Sequence, residues 1–207
     1  WPTVIARLGV PKHIPLVTTI HAFVQSSLEY KLWWVRFLDK YSFKKRPSTI
    51  IAVSKGALKE YMDFHHQPVS NGIALYTFVD LDKFTSRRIP GVNDQRLRIV
   101  SVGALRKQKF QSFLVEAMSK LKDKDIELDI YGSGPLEVEL KNQIASTGAK
   151  LNLKGESKDL QNILPKYDLF IMSSIFEGFS LGVLEATAIG LPLLLSDIAS
   201  FREQCGE

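Results

Sequence analysis

Between Asp168 and Ala186 the chain passes from an apolar strand, through a turn rich in glycine, into an apolar helix. The turn reads Phe176-Glu177-Gly178-Phe179-Ser180-Leu181-Gly182. Gly178 and Gly182 let the backbone come close to a ligand. The segment Phe179–Gly182 lies where the free N–H groups of a helix N-terminus gather, and such an end suits a phosphate. Glu177 stands in the loop before the helix and Glu185 about one turn inside it. Carboxylates accept hydrogen bonds well from the paired hydroxyls of a sugar. Two of them beside a phosphate cradle point to a nucleotide-sugar with a hydroxylated ring on each side. The same residues also suit a plain strand–turn–helix with a solvated glutamate at each end.

From residue 97 onward, strands alternate with helices. Strands are expected at Leu97–Gly103, Ile126–Tyr131, Leu151–Gly155, Asp168–Met172 and Leu191–Leu195, with helices between them. This alternation predicts a parallel sheet covered on both faces. The loop after the first of these strands, Ala104-Leu105-Arg106-Lys107-Gln108-Lys109-Phe110, is basic and suits a diphosphate. Gly132-Ser133-Gly134-Pro135 turns the next strand into its helix. Earlier in the chain, Ile14–Ile20 reads as a buried strand with His21 at its C-terminal end, the end that faces the ligand in open α/β sheets. Ser48–Ser54 is a further strand, and Ser54 is placed to cap a helix over Lys55–Phe64. Asn71-Gly72 reads as a tight turn.

Ser26–Lys45 predicts a helix that sets Trp33, Trp34 and Phe37 beside Lys31, Arg36, Lys40, Lys44 and Lys45. Such a helix can lie at a lipid headgroup layer. The favoured expectation is that the aromatics pack into the core while the lysines stay in water. Asp80-Leu81-Asp82 has the spacing of a divalent-cation site, but the pattern is short and common. Thr85–Arg96, with Pro90, Gly91 and Asn93, reads as a linker.

Bulk properties narrow the classes. The chain has 207 residues, enough for one large domain or two small ones, and its 45% hydrophobic and 24% charged content is that of a globular protein. Cys205 is the single cysteine, so no disulfide forms within the chain. Apolar runs are too short to span a bilayer. Residues 1–90 hold 13 of the 27 basic residues and only 6 of the 22 acids, so the first half is basic and the second slightly acidic. That excess suits anionic lipid or an anionic acceptor. No nucleic-acid-binding motif accompanies it. No Gly-x-Gly-x-x-Gly follows a strand, which argues against a dinucleotide oxidoreductase.

Glu177-Gly-Phe-Ser-Leu-Gly-Val-Leu-Glu185-Ala186, followed by Gly190-Leu191-Pro192, resembles the donor-site motif of retaining family-4 glycosyltransferases. The resemblance extends from about Ile14 to Glu203. It implies the GT-B fold: two Rossmann-like domains with parallel sheets facing across a cleft, the first truncated here. Residues 1–85 would be a partial acceptor-side domain, 86–96 the linker, and 97–207 the nucleotide-sugar domain, lacking its last elements.

On that resemblance, Glu177, Lys109, Arg106 and His21 are the expected catalytic residues. Gly103, Gly132, Gly134, Gly155, Glu156, Phe179, Ser180, Leu181, Gly182 and Glu185 are the expected donor-binding residues. The family's diphosphate-binding arginine falls at Ala104, and its following glycine at Phe110; Arg106 is the candidate to supply the missing charge. No metal or other cofactor is implied. The expected partners are a nucleotide-sugar donor and a glycan or lipid-linked acceptor, with peripheral contact to anionic membrane and no nucleic acid. The expected setting is cytoplasmic, at the inner face of the cell membrane. A nucleotide-sugar binder without turnover is the alternative.

Overall fold

The computed structural model describes residues 2–24, 29–84 and 96–206. The expected linker at 86–96 lies outside the described residues except for Arg96, as do Ser26 and its neighbours at the predicted helix start. The chain forms two compact units. One comprises Trp1–Thr77, Glu177–Phe179 and Ala199–Glu207; the other comprises Phe78–Phe176 and Ser180–Ile198.

The first unit is built on a three-stranded parallel sheet of β1 (Val17–Ile20), β2 (Thr49–Ala52) and β3 (Gly72–Ala74), in that order. The helices α1 (Pro2–Gly9), α2 (Trp33–Lys45) and α3 (Lys55–Phe64) accompany it. Ile50, Ala52, Ala57, Leu58, Tyr61 and Met62 form its core. Ser54 caps α3 as expected, its Oγ accepting the Ala57 N–H at 3.1 Å. Asn71-Gly72 is not a tight turn. Asn71 ends a 3₁₀ turn, and Gly72 has extended φ of −137° and opens β3. A Cβ on Gly72 would lie 2.5 Å from Leu58 Cδ1, a contact that a turn of the leucine side chain would relieve.

A buried polar cluster ties the helices of this unit together. Arg7 Nη1 donates to Asp39 Oδ1 at 2.7 Å, and Arg7 Nη2 donates to the Tyr61 hydroxyl at 2.9 Å. The Tyr30 hydroxyl and His65 Nε2 lie 2.7 and 3.1 Å from Asp39 Oδ2. Burial alone would raise the Asp39 pKa, but the hydrogen bonds from His65 and Tyr30, with the charges of His65 and Arg7, outweigh it and hold the carboxyl below its ordinary range. Burial, followed by the Asp39 charge, pushes Tyr61 up to about 12.

The aromatics of α2 correct the expectation of core packing. Trp33, Phe37 and Tyr41 are 78%, 61% and 46% exposed, while Val35, Asp39, Ser42 and Phe43 face inward.

The second unit is a five-stranded parallel sheet in the order β6 (Leu151–Gly155), β5 (Ile126–Tyr131), β4 (Leu97–Val102), β7 (Leu169–Met172) and β8 (Leu193–Leu195). Helices α4 (Gln111–Ser119), α5 (Glu137–Thr147), α6 (Leu160–Ile163) and α7 (Leu181–Ile189) connect the strands. Leu114, Val115 and Met118 of α4 and Leu140 of α5 pack on Ile99, Leu128, Ile130 and Leu151.

Coverage of both sheet faces holds only in part. The opposite face of β5 and β6 carries Glu127, Asp129, Asn152 and Lys154. Asn152 Nδ2 donates to Glu127 and Asp129 at 2.8 Å each, and Lys154 Nζ lies 3.3 Å from Asp129. Alternation along Ile126–Tyr131 is thus the period of a strand with one wet face.

Removing one member of a buried ion pair strands the other charge, at a cost of about 3–5 kcal/mol. Arg7→Ala should therefore lower the stability of the first unit by that order in urea unfolding. Lys59→Ala removes a partner of an exposed pair with Asp63 and should leave the urea midpoint close to that of the parent.

Candidate functional site

In the second unit, β4 is followed by a connection to its neighbour on one side, β5, while β7 pairs on its other side. Such a point of reversal leaves a crevice at the C-terminal ends of the two strands, where ligands of open α/β sheets bind. The expected donor-side residues gather there. Gly103 ends β4. The aliphatic part of Lys109 lies over it, with Cε 3.0 Å from where a Cβ on Gly103 would stand. Lys109 Nζ lies 4.0 Å from Met172 Sδ at the end of β7. The Ser180 Oγ donates to the same sulfur at 3.4 Å.

Ser180 occupies the N-cap position of α7, yet its side chain makes no cap bond. That leaves the first-turn N–H groups to other acceptors. Gly182, in this first turn, sits where a Cβ would be 3.2 Å from the Val102 carbonyl oxygen and 3.5 Å from Met172 Cε. Glycine therefore lets the helix start lie close on β4 and β7. Glu185, one turn further on, is half-buried, and burial raises its carboxyl pKa.

The loop after β4 is held by its neighbours. Leu105 is fully buried; its N–H donates to the Ser133 carbonyl at 2.8 Å, and its carbonyl accepts the Leu136 N–H at 3.1 Å. A Cβ on Gly132 would lie 2.0 Å from the Gly103 carbonyl oxygen, and one on Gly134 2.5 Å from that of Leu105. The Gly132–Gly134 turn thus packs on the 103–105 loop, which only glycine permits. Gly132 N–H donates to the Gly155 carbonyl at 2.8 Å, and the Ser133 hydroxyl donates to Glu156, so the loops after β5 and β6 close on each other. Gly155 has φ of +73°, in the left-handed region that favours glycine. Arg106 is exposed beside Ala104, which it contacts through its backbone N–H at 2.9 Å.

Phe110 keeps φ of 51° and ψ of 40°, a left-handed conformation, although its side chain is aromatic. The backbone that glycine would favour at this position is retained without glycine.

Of the remaining candidates, His21 and Glu177 belong to the first unit, as does Phe179. His21 is exposed after β1, and its carbonyl oxygen lies 1.9 Å from where a Cβ on Gly178 would stand. Glu177 is buried, with 6% exposure. The Phe179 and Tyr76 ring centroids lie 5.3 Å apart. The structure thus gathers Gly103, Lys109, Ser180 and Gly182 around the ends of β4 and β7, and packs Gly178 against the His21 backbone.

Four residues that sequence reasoning missed fix these loops. Gln108 Nε2 donates to the Phe176 carbonyl at 2.9 Å, and Ile175 N–H donates to the Gln108 carbonyl at 2.8 Å. The Ser173 hydroxyl bonds the Lys109 carbonyl at 2.8 Å. Gln111 is buried; its Nε2 donates to the Ala104 carbonyl at 2.9 Å, and its Oε1 is a buried oxygen without a partner. Glu203 of α8 (Ala199–Cys205) accepts from Lys55 N–H, Gly56 N–H and the Tyr76 hydroxyl, at 2.6, 2.9 and 2.8 Å. Uncharged glutamine and serine carry no spacing signal that would have exposed the first three. Glu203 acts on a helix start some 150 residues earlier, which local pattern does not reach.

Asp80-Leu81-Asp82 forms a helix start instead of a cation site: Asp80 Oδ1 accepts the Asp82 N–H at 3.2 Å. Among the described residues, no three or more His, Cys, Asp or Glu side chains converge.

Residues 82–207 match the family described as glycosyl transferases group 1. The chain belongs to that family. Among its relatives is the UDP-N-acetylglucosamine–peptide N-acetylglucosaminyltransferase GtfA subunit of Streptococcus gordonii, 29% identical over 93% of this chain and 38% of that protein. The lipopolysaccharide core biosynthesis mannosyltransferase LpsB of Rhizobium meliloti is 27% identical over 87% of this chain and 53% of its own length. The chain thus spans about half, or less, of the length of these relatives. Among solved structures, Anabaena HepE in complex with UDP-glucose superposes with a TM-score of 0.80 at 18% identity, over 97% of this chain and 58% of that one. That likeness bears out the fold, GT-B with two parallel sheets. Among the described residues, no helix is long and apolar enough to cross a membrane.

The raised pKa of Glu185 makes a signed prediction. The folded state holds this proton above the ordinary glutamate range, so stability falls as pH rises through the window between 4.5 and the raised value. Glu185→Gln should match the parent near the acid end of that window. It should exceed the parent at neutral pH, by at most about 1 kcal/mol given the half exposure, in thermal unfolding followed across pH.

Proposed function

We propose that this chain carries the donor site, and part of the acceptor side, of a retaining glycosyltransferase that uses a nucleoside-diphosphate sugar. The observation that carries this reading is the set of groups at the ends of β4 and β7. The first-turn N–H groups of α7, released by a cap residue whose hydroxyl turns to Met172, and Lys109 above Gly103 all suit a diphosphate. Arg106 adds charge from the same loop. Glu185 would accept hydrogen bonds from the ribose, and Glu177 and His21 take the catalytic roles that the family resemblance implies. The turns at Gly132, Gly134, Gly155 and Glu156 would receive the base. The UDP named with HepE and with pneumococcal GtfA supports uracil as that base. Residues 1–85 are then the acceptor side, 86–96 the linker and 97–207 the donor side.

Transfer breaks the bond from the anomeric carbon to the diphosphate. The transition state has oxocarbenium character, and negative charge grows on the leaving group. Lys109 and the helix end meet that charge as it develops. In a front-face route the leaving phosphate takes the acceptor's proton, and no separate base is needed. The acceptor would be a glycan or a lipid-linked glycan, and the setting would be cytoplasmic. Relatives act on a peptide, a lipopolysaccharide core and a lipid diphosphate, so the acceptor is set outside the shared donor residues.

Ala104 at the position of the family's arginine favours a second reading, binding of the donor without turnover. Calorimetry with UDP and a donor-hydrolysis assay separate the two. Turnover supports the first reading, and binding alone supports the second.

In the full-length enzyme, Lys109→Ala should lower kcat by about 10²–10³-fold, the usual effect of losing one charge-stabilising donor. Glu177→Ala should abolish transfer while leaving UDP affinity within a few-fold. Glu185→Ala should weaken UDP instead. In the parent, UDP affinity should fall as pH drops through the raised Glu185 pKa, because the ribose hydroxyls bond the ionised form; Glu185→Gln should flatten that dependence. Unchanged turnover in both the Lys109 and Glu177 variants would defeat the residue roles.

A further inference from the structure

The wet sheet face of the second unit takes no part in the donor site, and a cavity of about 250 Å³ lies on it. Arg96 and Arg98, at the start of β4, line it together with Glu127 and Asp129 of β5 and Lys154 of β6. Lys166 and Tyr167 join them from the connection before β7, which supplies only the four-residue α6 and a 3₁₀ turn over Leu164–Lys166. Gly103, Lys109 and Gly182 stand at the other, C-terminal ends of the strands.

Hydrogen-bond accounting gives this cavity a sign. Glu127 Oε1 accepts Asn152 Nδ2 at 2.8 Å, and its Oε2 accepts Arg96 Nη1 at 3.2 Å. Asp129 Oδ1 accepts Asn152 Nδ2 at 2.8 Å. Asp129 Oδ2 accepts the Tyr167 hydroxyl at 2.7 Å and lies 3.3 Å from Lys154 Nζ. All four carboxylate oxygens in the lining are thus engaged. The Tyr167 oxygen, donating to Asp129, is also bonded to the Tyr131 hydroxyl at 3.1 Å. Burial, then the hydrogen bonds with Tyr131 and Asp129, raise the Tyr167 pKa, so this hydroxyl stays protonated and brings no charge. Outside the lining, Asp125 accepts Arg96 Nε at 2.9 Å, and Asp168 accepts the Arg98 N–H at 3.0 Å. The lysines are in a different position. Each ammonium carries three N–H donors. Lys154 turns to Asp129, while Lys166 is exposed and makes no ion pair among the described residues. The cavity therefore offers donors and positive charge, and its acceptors are taken.

We propose that this cavity binds a small phosphate monoester, with Lys154, Lys166 and Arg98 on its phosphate oxygens. Ion pairs that only stapled the strands would account for Arg96, Glu127, Asn152 and Asp129, but not for Lys166 at the same rim. A phosphate group brings three strong acceptor oxygens, which is what the lining lacks. Guanidinium and ammonium groups both recognise it, one as a fork and the other as a point charge. A divalent cation is a poor occupant, because the carboxylates it would need are engaged and bases surround them. Pockets for drug-sized ligands span about 300–1,000 Å³, so this smaller one suits a ligand of about one ring or less.

The test is a titration of the chain with inorganic phosphate at constant ionic strength, followed by amide NMR. Saturable shifts are expected at Arg98, Asp129, Lys154 and Tyr167. Shifts at Lys109, Leu181 and Gly182 would report phosphate at the donor site, so the two sites are read separately. Lys154→Ala and Lys166→Ala combined should weaken binding at the cavity by about tenfold or more, the usual effect of losing hydrogen bonds to a charged group. Lys154→Arg with Lys166→Arg should hold it within a few-fold of the parent. Because Lys154 also pairs with Asp129, Lys166→Glu, at an exposed position, serves as a second variant that spares the strand network; it should weaken phosphate while thermal unfolding matches the parent. Magnesium chloride at the same ionic strength should leave the cavity amides unmoved. No saturable shift at those amides, shifts confined to the donor-site amides, or equal phosphate affinity in the Lys166→Glu variant and the parent would each overturn the proposal. So would a saturable response of the cavity amides to magnesium in place of phosphate.

Discussion

Two neighbouring parallel strands, β4 and β7, are followed by helices that leave on opposite faces of their sheet. Ile99 of β4 packs under α4 on one face, and Val102 faces the start of α7 on the other. The gap that this divergence opens at the strand ends is a consequence of right-handed crossovers in a twisted parallel sheet. The other groups of the proposed donor site are arranged around that gap. Gly103 ends one wall, Met172 ends the other, and Gly182 brings an uncapped helix start down between them.

The loops that line the gap are held by bonds among themselves. Gln108 and Ser173 join the Lys109 turn to the segment after β7, Gln111 holds the Ala104 carbonyl, and the Gly132–Gly134 turn locks Leu105. Pre-organised donors are worth more than mobile ones, because they need not reorganise as charge develops. The left-handed Phe110 belongs to this frame. It turns the chain from the Lys109 loop into α4 at the point where glycine would do so without strain, and stacks on Phe113 with centroids 5.7 Å apart.

The second unit could be read from sequence because its signals are local. A short apolar strand, a glycine where backbones meet, and a helix recur along it, and the strands Leu97–Gly103 and Ile126–Tyr131 lie within a residue of β4 and β5. The first unit was harder. Asn71-Gly72 carries turn chemistry, but sheet pairing with Ile50 makes Gly72 a strand residue. The row of aromatics and lysines on α2 reads alike whether the aromatics face in or out; the buried Arg7–Asp39 pair on the other side of the helix decides it. Helices α1 and α8 gave no reading at all. Glu203 shows why, since its role on α3 exists only once the chain has folded.

In the proposed function, the backbone N–H groups at the start of α7 receive a diphosphate. Amide hydrogen exchange, resolved to single residues and followed with and without UDP, reads those groups directly. Slowed exchange at Leu181, Gly182 and Val183 on saturation with UDP, with little change along the outer face of α5, is the predicted result. Saturable UDP binding that leaves those three amides exchanging at their free rates would contradict it.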